Sequence, residues 1–176
     1  MSAPLVRSKT EHLELVSLNV DTVDALIAGD AAELLHATGG RFPNPFELPP
    51  LFDRDALSDM RGAIESKSAS HETSFVLIER ESSEVIGIAG LSPTGDPDTM
   101  AVGYSVYPIY EGRGYATEAA RSLIDQALAD GATCVRATIP PGNDASIRVA
   151  EKAGLERAGT TADLDAGPVI VFERRL

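Results

Sequence analysis

The run Tyr110-Glu111-Gly112-Arg113-Gly114-Tyr115-Ala116-Thr117-Glu118 pairs two closely spaced glycines with the start of an alanine-rich stretch. Gly112 and Gly114 carry no Cβ, so the backbone can turn sharply and approach an anion closely. A helix beginning at the same point adds unpaired N–H groups and the positive end of its dipole. The chemistry to which such a junction is suited is the holding of a phosphate, with Arg113 as an additional positive charge.

Glycine turns have several owners. A dinucleotide-binding fingerprint needs a third small residue where Thr117 stands, and an acidic residue about 20 positions on, where Cys134 and Arg136 lie instead. The nucleotide-binding string G-x-x-x-x-G-K-[ST] is absent. An ordinary strand-to-helix turn stays open on this segment alone. A second segment, Asn143 to Leu155, starts on a good N-cap residue and ends at Gly154, which suits the position after a helix. Before it, Thr133 to Ile139 is rich in β-branched residues and is broken by Pro140-Pro141-Gly142. The order is strand, phosphate turn, helix, strand, capped helix.

These residues resemble the GNAT superfamily of acetyl-CoA-dependent N-acetyltransferases. The family's pyrophosphate motif, Q/R-x-x-G-x-G/A, falls on Glu111 to Ala116, with Gly114 and Ala116 in the small positions. Its N-x-x-S-x-x-x-x-E-K-x-G-[FL] helix is matched by Asn143, Ser146, Glu151, Lys152, Gly154 and Leu155. With the opening Glu11-His12-Leu13-Glu14-Leu15 strand, the chain looks most like the branch of ribosomal-protein N-terminal (alanine/serine) acetyltransferases. The resemblance runs from about residue 9 to 174. It implies an α/β (α+β) fold in one N-acetyltransferase domain over residues 1–176: a mixed, mostly antiparallel sheet of six to seven strands flanked by helices, whose central parallel strands splay to form the acetyl-CoA cleft.

The resemblance also implies roles. Tyr104, Ser105 and Val106 would offer backbone groups to pantetheine and thioester, and Gly112, Arg113, Gly114, Tyr115, Ala116 and Thr117 would cradle the pyrophosphate. Asn143 would hydrogen-bond the pantetheine arm. Many relatives protonate the departing thiolate with a Tyr where this chain has Ala150; in the branch it most resembles, a serine at the position of Ser146 is the proposed donor. Ser146 bonding its own first helical turn is the alternative. The family's carboxylate positions hold Ala101 and Thr138, so the base is unassigned. Glu118 is a candidate substrate-side carboxylate or a helix-stabilising one. Glu111 replaces the usual Gln or Arg and is expected to face solvent. The activity implied is acetyl transfer to a primary amine, on a protein N-terminus or a small molecule, by direct attack in a ternary complex. A CoA-binding module that has lost catalysis is the alternative, and a dinucleotide-binding protein a third reading.

The 176 residues carry 27 acidic and 15 basic side chains, a formal charge of −12. Such a balance disfavours a nucleic-acid partner, which needs a basic face, and suits a cationic acceptor. With 43% hydrophobic residues, the chain can bury roughly 70% of its unfolded surface. No apolar run approaches a membrane span, and Met1 to Thr10 lacks the apolar core of a secretory leader, so a cytoplasmic location is expected. The lone Cys134 excludes an internal disulfide and is expected in a buried strand. His12, His36 and His71 share no ligand spacing, so no metal is expected and surface positions are. The resemblance allows a homodimer.

Elements that would position the chemistry follow from pattern. Leu13 to Leu18 reads as a strand, Thr22 to Ala28 as a helix capped by Asp21, and Ala31 to Ala37 as a second helix. Gly39 to Phe52, with four prolines among aromatics, cannot be a regular helix; the family resemblance implies that it helps to shape the acceptor side, and a loop packed on the core is the alternative. Asp53 to Lys67 reads as a helix, and Ser74 to Arg80 with Val85 to Leu91 as a hairpin. Met100 to Val106 leads into the phosphate turn, with Gly103 marking a bulge or close approach. The helix from Gly114 to Ala129 sets Ala116, Ala120, Leu123 and Ala127 on one face and joins two parallel strands. Glu156 to Thr161 and Val169 to Arg174 close the sheet.

Overall fold

The computed structural model describes residues 3–50, 52–66, 73–164 and 167–176. Leu51, Lys67 and His71, each part of an expectation above, lie outside the described residues. Eight strands form one sheet: β1 (Arg7–Lys9), β2 (Leu13–Ser17), β3 (Thr73–Glu79), β4 (Val85–Pro93), β5 (Thr99–Val106), β6 (Cys134–Ile139), β7 (Glu156–Asp163) and β8 (Gly167–Arg175). Their spatial order is β1-β2-β3-β4-β5-β6-β8-β7, and only β5 and β6 run parallel. The expected six to seven strands become eight because the three-residue β1 folds back on β2. Five α-helices accompany them: α1 (Val20–Ala28), α2 (Ala31–Thr38), α3 (Arg54–Ser66), α4 (Tyr115–Ala129) and α5 (Asp144–Lys152).

Strand alternation sends apolar side chains to both faces, and each face is covered. Val102, Val135, Ala137, Ile170 and Phe172 pack with Ala119, Ala120, Leu123, Ile124 and Ala127 of α4 and Ala150 of α5. On the opposite face Val16, Val76, Ile78 and Ile88 meet Val23 and Leu26 of α1, Leu34 of α2, and Leu57 and Met60 of α3. Cys134 is buried in β6 as expected. Helix α1 starts two residues earlier than expected. Its cap is Asn19, not Asp21, because Asn19 and Thr22 form a reciprocal capping box in which each side chain bonds the other's main-chain N–H.

The proline-rich segment packs on the core. Phe42 is buried, its ring 5.5 Å from that of Phe46, and the Tyr107 hydroxyl donates to the Glu47 carbonyl at 2.7 Å. No bulge occurs at Gly103, which pairs in register with Gly90; the glycine that needs its missing Cβ in this pair is Gly87, where one would stand 2.2 Å from the Ser105 carbonyl oxygen. Gly87 therefore lets β4 and β5 close up at the end that enters the glycine turn.

Candidate active site

Strand β5 pairs with β6 only through Thr99, Met100 and Ala101 against Cys134, Val135 and Arg136. Beyond Ala101 the strands part: β5 keeps its partner β4 as far as Val106, and Ala137 to Ile139 pair only with β8. The β6-facing edge of residues 102–106 is thus an open row of main-chain groups, which in a folded protein calls for a partner. The fork opens into a cleft of about 360 Å³ lined by Tyr104, Ser105 and Val106 on one wall and Asn143, Ser146, Arg148 and Lys152 on the other.

The glycine turn closes the mouth of the cleft. Gly112 and Gly114 lie at φ +75° and +85°, a left-handed conformation that side chains disfavour, and a Cβ at either would meet no atom within 4 Å. Backbone conformation, not crowding by the protein, makes these positions glycine. Gly114 is the N-cap of α4 and no side chain caps that end. The first-turn N–H groups of Tyr115, Ala116 and Thr117 are therefore left for an anion, and all three residues line the cleft. The turn is pinned from behind by the β3–β4 hairpin. Tyr110 donates to Glu84 at 2.7 Å and Tyr115 donates to Glu79. Hydrogen bonds from Ser82 and Tyr115 hold the Glu79 carboxyl below its ordinary pKa. Arg113 stacks its guanidinium 5.4 Å above the Tyr110 ring and, alone among the expected pyrophosphate residues, does not line the cleft. Glu111 is exposed, as expected, on the cleft rim.

Across the cleft, the main chain of Ser146 is gripped from two sides. Asn143 caps α5, its Oδ1 accepting the Ser146 N–H at 3.2 Å, and the Tyr104 hydroxyl donates to the Ser146 carbonyl at 2.9 Å. With Oδ1 engaged in the cap, and its main-chain N–H and carbonyl bonded to Pro140 and Ile147, Asn143 retains its side-chain amide N–H for a ligand. The Ser146 Oγ makes no bond to its own helical turn. Burial pushes the Tyr104 phenol up to about 12, so it stays a donor throughout the neutral range.

The family's carboxylate positions hold Ala101 and Thr138, and the carboxylate beside them on the β6–β8 ladder is Glu173, facing Arg136. Its Oε1 takes two bonds from Arg136, at 2.8 and 2.6 Å, and Oε2 takes two from Arg175, at 3.0 and 2.8 Å. Burial works to raise its pKa, but the two guanidiniums outweigh it and hold the group below the ordinary range, which makes a poor base. Glu118 is also engaged. It accepts from Thr10, from the His12 main-chain N–H at 2.8 Å and from His12 Nδ1 at 2.9 Å, tying the β1–β2 turn to α4. Both Glu118 oxygens are engaged in this structural tie, and none of these bonds caps α4 itself.

Sequence reasoning gave no role to the Tyr104 hydroxyl or Arg148 and named Lys152 only as part of the helix motif; all three line the cleft, as does Pro50 of the proline-rich segment. For the α5 pair a signal existed: Arg148 and Lys152 stand four apart, as do Asp144, which follows the cap Asn143, and Arg148, so one helical face runs from the first turn to the last.

The acetyltransferase (GNAT) domain family model matches residues 13–156. An uncharacterized protein of Bacillus subtilis (strain 168), YkkB, is 35% identical over 104 residues, 57% of this chain and 60% of its own length. The chain thus matches only about three-fifths of that relative. The uncharacterized N-acetyltransferase YjdG of the same strain is 27% identical over 160 residues, 86% of this chain and 90% of that protein. The solved structure of a ribosomal L7/L12 α-N-protein acetyltransferase in complex with coenzyme A shares the fold. It superposes with a TM-score of 0.67 over 95% of this chain and 96% of the other, at 16% identity. A parallel pair that forks after Ala101, an uncapped helix start behind two left-handed glycines and a family match across most of the chain agree: the protein belongs to the GNAT acetyltransferase family.

Proposed function

We propose that the chain is a single N-acetyltransferase domain that moves the acetyl group of acetyl-CoA to a primary amine by direct attack in a ternary complex. The fork carries this reading: the open β5 edge at residues 102–106 offers pantetheine the ladder bonds that β6 gives up. The amides of Gly112 to Thr117 hold the pyrophosphate, and Asn143 lends its remaining amide N–H to the pantetheine arm. The amine lone pair forms the new C–N bond, and the C–S bond breaks with its electron pair on sulfur. Ser146 Oγ–H gives its proton to the thiolate and recovers one from solvent, and the surplus ammonium proton leaves to water. Tyr104 and Asn143 hold Ser146 in place for this step.

With Ala101 and Thr138 at the family's carboxylate positions, Glu173 held by two guanidiniums and Glu111 exposed on the outer rim, the acceptor must supply a neutral nitrogen largely by itself. An α-amino group, with a pKa near 7.7, does so far better than an alkylamine near 10.4. A protein N-terminus or another α-amine is the acceptor class that fits best.

The test is thiol release from acetyl-CoA against a panel of N-terminal peptides, amino acids, polyamines and aminoglycosides, with mass detection of the acetylated product. Release accelerated by an α-amine supports the reading. Tight CoA binding with no acceptor-dependent release would favour a binding module without catalysis, the reading motivated by Ala101, Thr138 and Ala150.

A further inference from the structure

The main-chain amides of the glycine turn account for a diphosphate, but coenzyme A carries a second, more highly charged group, the 3′-phosphomonoester of its ribose. Resting on the acetyl-CoA reading above, we propose that Arg148 and Lys152 form the subsite for that phosphomonoester and make the protein select CoA over thioester carriers that lack it.

Both residues are exposed, line the same cleft as the glycine turn and lie four apart on one face of α5. Among the described residues neither forms an ion pair. Like charges at this spacing repel and weaken a helix slightly. In a chain of net charge −12, two cations left unneutralised side by side at a cleft suggest an anionic occupant. Their chemistry also complements the turn. Gly112 and Gly114 present amides but no side chain, Arg113 is turned onto the Tyr110 ring, and Glu111 is an anion on the rim. The cleft's side-chain cations thus come from α5. A phosphomonoester carries nearly two charges at neutral pH, and a guanidinium with an ammonium is the pair that meets both. Glu111, on the facing loop, repels a misplaced phosphate and favours seating toward α5.

The experiment compares CoA with 3′-dephospho-CoA on the wild-type protein and on the Arg148→Ala/Lys152→Ala double variant by calorimetric titration at fixed salt. The wild type is expected to bind CoA roughly ten- to a hundredfold more tightly than dephospho-CoA. The double variant should lose that preference by weakening for CoA alone, while its unchanged affinity for dephospho-CoA shows that the fold is intact. Arg148→Lys should keep most of the preference. Equal wild-type affinity for the two ligands, or a double variant that keeps the preference, overturns the subsite while leaving the glycine-turn reading in place. A wild type that binds neither ligand overturns the acetyl-CoA reading and this inference with it.

Discussion

Gly114 allows stability and ligand binding to be pushed in opposite directions at one residue. Its φ of +85° is left-handed, so Gly114→Ala pays the conformational penalty, about 1–2 kcal/mol. No atom lies within 4 Å of the new Cβ, so steric overlap adds nothing. For a chain of this length that cost lowers the melting temperature by roughly 2–8 °C. Gly114→Asp meets the same backbone angle with a residue that tolerates it better, and its carboxylate gains about 0.3–1 kcal/mol at the positive end of α4. The Asp variant should therefore melt above the Ala variant. Toward CoA the order reverses. A carboxylate about 4 Å from a phosphate charge costs about 1 kcal/mol in bulk water and about 4 kcal/mol at an effective dielectric of 20. Gly114 is exposed, so the lower part of that range applies, and Gly114→Asp should bind CoA about five- to thirtyfold more weakly than Gly114→Ala. Differential scanning calorimetry with and without CoA reads both effects in one set of samples. If the Asp variant binds CoA as tightly as the Ala variant, the phosphates do not sit at the start of α4.

Tyr104→Phe removes the hydroxyl that anchors the Ser146 carbonyl. A net hydrogen bond of about 0.5–1.5 kcal/mol expressed in catalysis predicts a two- to tenfold lower kcat with the KM for acetyl-CoA little changed. Adding Tyr104→Phe to Ser146→Ala should cost nothing further if the phenol acts through the serine, and additive losses in steady-state kinetics would refute that linkage. The Glu118–His12 tie predicts a pH window for stability. Burial works to raise the Glu118 pKa, but hydrogen bonds from Thr10 and His12 together outweigh it and hold the group below 4.5, so its contribution is present above that value and fades as pH falls through the depressed one. The hydrogen bond to Glu118 raises His12 above 6.5, so the charged pair is complete below 6.5 and is lost as pH rises through the elevated value. The melting difference between wild type and Glu118→Gln should thus peak near pH 5–6.5 and shrink on both sides; a difference that grows steadily toward pH 8 would show that the histidine's charge plays no part.

Much of this molecule was readable residue by residue where the signal is local. A glycine pair ahead of an alanine-rich run announces a left-handed turn into a helix start because backbone freedom and helix propensity are properties of the segment itself. Asn143 and Gly154 bounded α5 for the same reason, and strand alternation placed β2, β3 and β4 to within a residue or two. The cap of α1 was misplaced by two residues because Asn19 and Asp21 are equally good caps, and only the reciprocal bond to Thr22 separates them.

What the chain could not declare by itself is non-local. The insertion of β8 between β6 and β7, and the end of the parallel ladder at Ala101, depend on which strands compete for β6, a choice made only when the sheet assembles. Tyr104 and Ser146 are 42 positions apart, and Glu118 lies more than 100 from Thr10 and His12. Those contacts exist because two helices and a strand are packed on one core, and hydrophobic burial, which drives that packing, carries no pairwise address in the sequence. Local stereochemistry therefore named the left-handed glycine turn and the helix start behind it, while tertiary packing built the cleft they face, set Arg148 and Lys152 along its wall and engaged Glu118 and Glu173 elsewhere.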